Sequence, residues 1–125
     1  MKKLFLFSFC AFCYFITSAQ QSNIDSLLTL LKKDKEDTAK VTRLNKISEA
    51  YWRNSSNDSA TASAKAALKL AQQLNFKKGI ASAYRNIGWA VGANDYSKGL
   101  DYFLKALKIS EELGDKKEIA NDLRN

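Results

Sequence analysis

The chain has 125 residues, with 20 Lys and Arg against 13 Asp and Glu for a formal charge of +7, two cysteines, and neither histidine nor proline. That length suffices for one domain with a modest core. The absence of histidine removes the commonest general base and metal ligand, so any hydrolytic chemistry would have to rest on paired carboxylates or a Ser–Lys arrangement.

In chain order, residues 1–19 come first. Lys2 and Lys3 precede an apolar run from Leu4 to Ile16, and Thr17-Ser18-Ala19 supplies small residues at its end. This is the plan of a secretory signal peptide, with cleavage expected after Ala19 and an exported, periplasmic product. The run is short for a membrane span, which needs about 20 apolar residues. Both cysteines, Cys10 and Cys13, lie inside it, so the mature chain is expected to form no disulfide and hold no thiolate-bound metal. Removing Lys2 and Lys3 lowers the formal charge from +7 to +5. The remaining lysines cluster only at Lys32-Lys33-Lys35, Lys77-Lys78 and Lys116-Lys117, without the interleaved aromatics of a nucleic-acid surface. No nucleic-acid partner is expected, and a membrane enters only through the signal peptide or a segment beyond Asn125.

Residues 20–37 read as an N-terminal capping helix. After a frayed Gln20–Ser22, the residues Ile24, Leu27, Leu28 and Leu31 make one apolar stripe, with Asn23 or Ser22 as its cap. Asp34, Glu36 and Asp37 sit in the turn that follows. The next helix is expected over Ala39–Asn54, capped by Asp37 or Thr38, with Val41, Leu44, Ile47, Ala50 and Tyr51 inward. After the polar Asn54–Ser59, with Asn57 or Asp58 as cap, Ala60–Leu74 should bury Ala60, Ala64, Ala67, Leu68, Ala71 and Leu74. Gly79–Ala93 carries Ile80, Ala83, Tyr84, Ile87 and Val91. Asn94-Asp95 then turns and caps Tyr96–Leu113, which carries Leu100, Phe103, Leu104, Ala106, Leu107 and Leu113. Asn75 and Gly114 stand where helices end, as residues that tolerate left-handed backbone. Lys116–Asn125 opens a further pair with Ile119, Ala120 and Leu123.

The pattern is written twice. Ala67–Asn86, ALKLAQQLNFKKGIASAYRN, recurs 39 residues later as Ala106–Asn125, ALKISEELGDKKEIANDLRN. Self-similarity at such a period predicts an α-solenoid. Tyr84, Ile87-Gly88 and Val91, followed by Gly99, Phe103 and Ala106, resemble the tetratricopeptide repeat (TPR) pattern; Leu44, Ile47-Ser48 and Tyr51, followed by Ala60, Ala64 and Ala67, resemble it more loosely. The boundary proline of that family is missing, and the repeat exceeds its common length of about 34 residues, as in the long-repeat TPR branch. The resemblance covers Thr38–Asn125 and implies an all-α, TPR-like solenoid of antiparallel helix pairs, with repeats at 38–77 and 78–115 and the first half of a third at 116–125. The chain is therefore expected to continue past Asn125. Its entry region also resembles the exported TPR input regions of Bacteroidetes-type signalling proteins, which implies a histidine kinase, cyclase or transcription-regulator output further along.

Glu111 and Glu112 are neighbours on an exposed face and do not converge, and no glycine-rich phosphate loop is present. No catalytic residue, cofactor or metal site is expected in these residues. Matching the family's groove-facing positions picks out Asn45, Glu49, Trp52 and Arg53, then Ser82, Arg85 and Trp89, then Asn121 and Arg124. Arg85 and Arg124 stand one repeat apart, which implies an arginine ladder along a groove for an extended or acidic protein segment. Arginine forks and tryptophan faces are the side chains that dominate binding hot spots. The competing expectation is that Trp52 and Trp89 pack against neighbouring helices while the arginines pair with Glu49 and Asp122. Chaperone-binding members of the family use a Lys/Asn clamp, and Asn45 and Glu49 stand in its places, so that clamp is not expected. Alternatives to a sensory scaffold are an accessory helical region of an exported enzyme and a free periplasmic adaptor.

Overall fold

The computed structural model describes Gln21, residues 23–114, Lys116, Lys117, Leu123 and Arg124. The proposed signal peptide, Ser22, Ile119, Ala120 and Asn121 lie outside these residues. The fold is all-α, with no strand among the described residues. Helix α1 (23–31) is followed by α2 (Thr38–Arg53), α3 (Asn57–Gln73), α4 (Lys77–Gly92) and α5 (Tyr96–Leu113).

Each of α2 to α5 packs on its sequence neighbours, and α2 also packs on α4. The contacts fix direction. Lys77 at the start of α4 pairs with Glu112 at the end of α5 (3.3 Å), while Tyr84 meets Tyr102 in the middle of both helices. Those two helices therefore run antiparallel. Between α2 and α4 the order is parallel: Asn45 bonds Gly79 near one end, and Trp52 stacks on Trp89 near the other.

The start and stop signals act through local chemistry. The Asp37 carboxylate accepts from the Ala39 and Lys40 N–H groups (3.0 and 3.1 Å), satisfying donors that α2 cannot pair itself. Asp95 accepts from the Lys98 N–H (3.1 Å) at the start of α5. That bond foremost, with the Lys98 ammonium second, holds the Asp95 carboxyl below its usual pKa. Asn75 and Gly114 adopt left-handed backbone, with φ of 52° and 64°. Ser55 does so too, at φ 58°, which the sequence reading did not anticipate. At both non-glycine positions the chain closes the same way. Ser55 and Asn75 N–H groups donate to Trp52 and Gln72, and the next N–H groups, of Ser56 and Phe76, donate to Tyr51 and Ala71. These bonds satisfy the last carbonyls of α2 and α3.

The expected stripes of α1 and α2 face inward. Ile24 is 1% exposed, and Leu31 packs against a cluster of Val41, Leu44, Ala67, Leu70, Ala71 and Ala83. Asp34 lies in the turn between α1 and α2, as expected. It takes a bidentate bond from Arg43 (2.5 and 3.2 Å), which ties the α1–α2 turn to α2 and holds the Arg43 proton more tightly. Glu36 pairs with Lys40.

Helices α3 and α5 bury small residues. Ala60, Ala64, Ala67 and Ala71 of α3 are fully buried, as is Ala106 of α5. Ser48 donates its hydroxyl to the Ala60 carbonyl at 2.7 Å. One pair later, a Cβ on Gly99 would lie 2.9 Å from the Gly88 carbonyl and 2.7 Å from Gly92 Cα, so α4 and α5 touch backbone to backbone.

Several expectations are corrected. Helix α3 begins at Asn57 rather than Ala60. Ser56 is its N-cap, while Asn57 and Asp58 occupy its first turn, where the Asp58 charge suits the helix dipole. Asn23 lies within α1, so it is not that helix's cap, and Gln21 is helical rather than frayed. Leu74 is 37% exposed, because it follows the last turn of α3; Leu70, one turn back, is buried instead. Leu100, Leu104 (54%) and Leu113 are exposed, since the contact face of α5 is carried by Gly99, Ala106 and Ser110. Leu123 is exposed as well.

Candidate functional site

The parallel run of α2 beside α4 puts one turn of each helix on a shared surface. Glu49, Trp52 and Arg53 come from α2, and Arg85 and Trp89 from α4. These five and Arg124 line a single cavity of about 340 Å³. Six of the residues expected on the groove are thereby brought together, including both members of the Arg85–Arg124 ladder. The cavity is also lined by Ser48 and Asn86, which the sequence reading missed. Asn86 had a legible signal: an asparagine in a helix interior is a poor helix former and usually has a bonding task.

That task involves Asn45, also expected on the groove, which lines a depression beside this cavity. Asn45 is 7% exposed and does not present its amide to the cavity. Its Nδ2 donates to the Gly79 carbonyl (3.3 Å), and its main-chain and side-chain oxygens both accept from Asn86 Nδ2 (2.9 and 3.2 Å). Asn45 thus stitches α2 to α4 beneath the site. Ser82, likewise expected on the groove, lines that same depression, of about 210 Å³, with Arg85 and Asn86.

The two tryptophans pack and line the cavity at once. Their ring centroids lie 4.9 Å apart at 34°, and Trp89 meets Phe103 of α5 edge-on at 5.2 Å and 77°. Both indoles remain half-buried, so part of each stays open to a ligand. Such ring pairs add about 0.5–1.5 kcal/mol each beyond area burial. The competing expectation about the arginines is met for Arg53, which donates to Glu49 at 2.5 Å, while Asp122 lies outside the described residues. Both side chains of that pair are largely solvated, where an ion pair contributes little, about 0–1 kcal/mol.

The floor is therefore aromatic and held by stacking, and the walls carry three guanidinium groups and one carboxylate. This chemistry suits planar, bidentate recognition of carboxylates with apolar contact between them. Glu112 is engaged with Lys77, and no group of His, Cys, Asp and Glu among the described residues could hold a metal ion. Among the same residues, no helix is long and apolar enough to cross a membrane. No protein-family model matches the chain, and no curated protein matches it. Function must therefore be argued from the site itself.

Proposed function

We propose that this chain is an exported, TPR-like helical scaffold that binds an extended acidic segment of a protein or peptide, and serves as the sensory input region of a longer signalling protein. The observation that carries the reading is the convergence of Trp52, Trp89, Arg53, Arg85 and Arg124 on one cavity. Support for a solenoid comes from the 39-residue sequence repeat and from the stepwise packing of α2 to α5. Support for export comes from the composition of residues 1–19.

Titration with an acidic peptide, read by tryptophan fluorescence, tests the binding role. The Arg85→Ala, Arg124→Ala double variant should weaken binding about ten-fold or more while leaving helical circular dichroism unchanged. Added salt should weaken the wild-type complex as the Debye length falls from about 30 Å at 0.01 M to about 8 Å at 0.15 M. Undiminished binding by the double variant at low salt would remove the arginines from the mechanism. An intact Met1 on the exported, membrane-free protein would overturn cleavage after Ala19.

A further inference from the structure

The cavity is one of three adjoining depressions, and they share lining residues. A second, of about 440 Å³, lies between α1 and α2 and shares Glu49 and Arg53 with the first. The third, of about 210 Å³, shares Glu49, Arg85 and Asn86 with the first, and Glu49 and Lys46 with the second. Glu49 is common to all three. Around it stand five cationic side chains, Lys46, Arg53, Lys78, Arg85 and Arg124, and Glu49 is the one carboxylate among the described lining residues.

A carboxylate at the junction of a cationic trough has a definite consequence. Glu49 Oε1 sits 2.5 Å from an Arg53 guanidinium nitrogen, in the position an incoming acidic group would take on that side chain. An acidic ligand must displace Glu49 or approach a like charge. Displacement is cheap, because the pair is solvated on both sides. We propose that Glu49 is an internal competitor and a specificity-determining residue: it occupies the anion position of Arg53 in the empty trough and limits the affinity of acidic segments there. This rests on the acidic-ligand reading above. The ordinary alternative is a helix-stabilising pair four residues apart, with the acid on the N-terminal side, which would affect melting and not ligand choice.

The test uses a capped hexaglutamate peptide and a capped hexaserine control, titrated at low salt into wild-type protein, Glu49→Gln, Arg53→Ala and the double variant. Glu49→Gln should bind hexaglutamate about two- to five-fold more tightly, with no gain for hexaserine. The gain should vanish in the Arg53→Ala background, since the effect acts through that guanidinium. Asp101→Asn, which removes an exposed carboxylate of α5 outside the trough, should give no gain. Unchanged or weaker binding by Glu49→Gln would overturn this inference alone, as would an equal gain from Asp101→Asn or a gain that persists without Arg53. Failure of all these proteins to bind hexaglutamate would overturn the acidic-ligand reading and this inference with it.

Discussion

Three glycines at the α4–α5 contact allow packing to be tested apart from helix propensity. An alanine Cβ at Gly99 would stand 2.7 Å from Gly92 Cα and 2.9 Å from the Gly88 carbonyl oxygen, both backbone atoms that cannot rotate away. Carbon atoms settle at about 3.5–4.0 Å, so α5 would have to retreat by nearly an ångström. A Cβ at Gly88 meets the Phe103 ring at 3.0 Å, and one at Gly92 meets only Gly99 Cα at 3.5 Å, an ordinary contact. Each Gly→Ala change gains up to about 1 kcal/mol of helix propensity, less at the helix end where Gly92 lies. Overpacking costs about 1–3 kcal/mol. The favourable terms are similar in kind, so the difference between variants isolates the steric one. Gly92→Ala should be neutral or slightly stabilised, Gly88→Ala intermediate, and Gly99→Ala about 1–3 kcal/mol less stable than Gly92→Ala. Urea denaturation of the three variants reads this directly, provided the slopes match. A Gly99→Ala protein as stable as Gly92→Ala would refute backbone contact between the two helices.

Ser55→Gly should stabilise the fold by about 1 kcal/mol, because left-handed backbone costs an L-residue about 1–2 kcal/mol and glycine returns part of this as chain entropy; a loss in urea melting would contradict the turn geometry. Ala106→Leu, at a fully buried position, should cost about 1–3 kcal/mol, and a change below about 0.5 kcal/mol would mean that this face of α5 is exposed. Asp95 has a folded-state pKa below its unfolded value, so its contribution is present above the unfolded pKa and is lost as pH falls through the folded one. Wild-type protein should therefore lose more stability than Asp95→Asn between neutral pH and about pH 3, a difference that thermal melts at the two pH values would detect.

The helices were legible because their stripes and punctuation agree. Asp37, Asp95, Asn75 and Gly114 act where their chemistry places them, and the inward faces of α1 and α2 follow the expected period. Periodicity assigns an angle around one helix, but it does not say which neighbour covers that angle. Leu100 and Leu104 were misjudged for this reason. The repeat itself carried a correction: they align with Thr61 and Lys65, 39 residues earlier, which are polar residues on α3. The six cavity residues were accessible through the positions that the TPR resemblance picked out, and five of them lie on α2 and α4, which run side by side. The bonds of Asn45 to Gly79 and Asn86 were not accessible, because they depend on the axial register of α2 against α4, which no single-helix pattern encodes.

The packing scheme also explains why the cavity floor is aromatic. Ser48 of α2 bonds the Ala60 carbonyl of α3, and Gly99 of α5 lies against Gly88 and Gly92 of α4, so these helices approach closely through small residues. Trp52 and Trp89 meet across the seam between α2 and α4. Phe103 joins the two regions. Its ring lies against the position a Gly88 Cβ would take, and meets Trp89 edge-on at 5.2 Å. A side chain added at Gly88 must therefore push Phe103, and Phe103 bears on the indole that lines the cavity. Packing within the α4–α5 pair and the shape of the cavity are therefore linked, because the same ring lies against Gly88 and against Trp89.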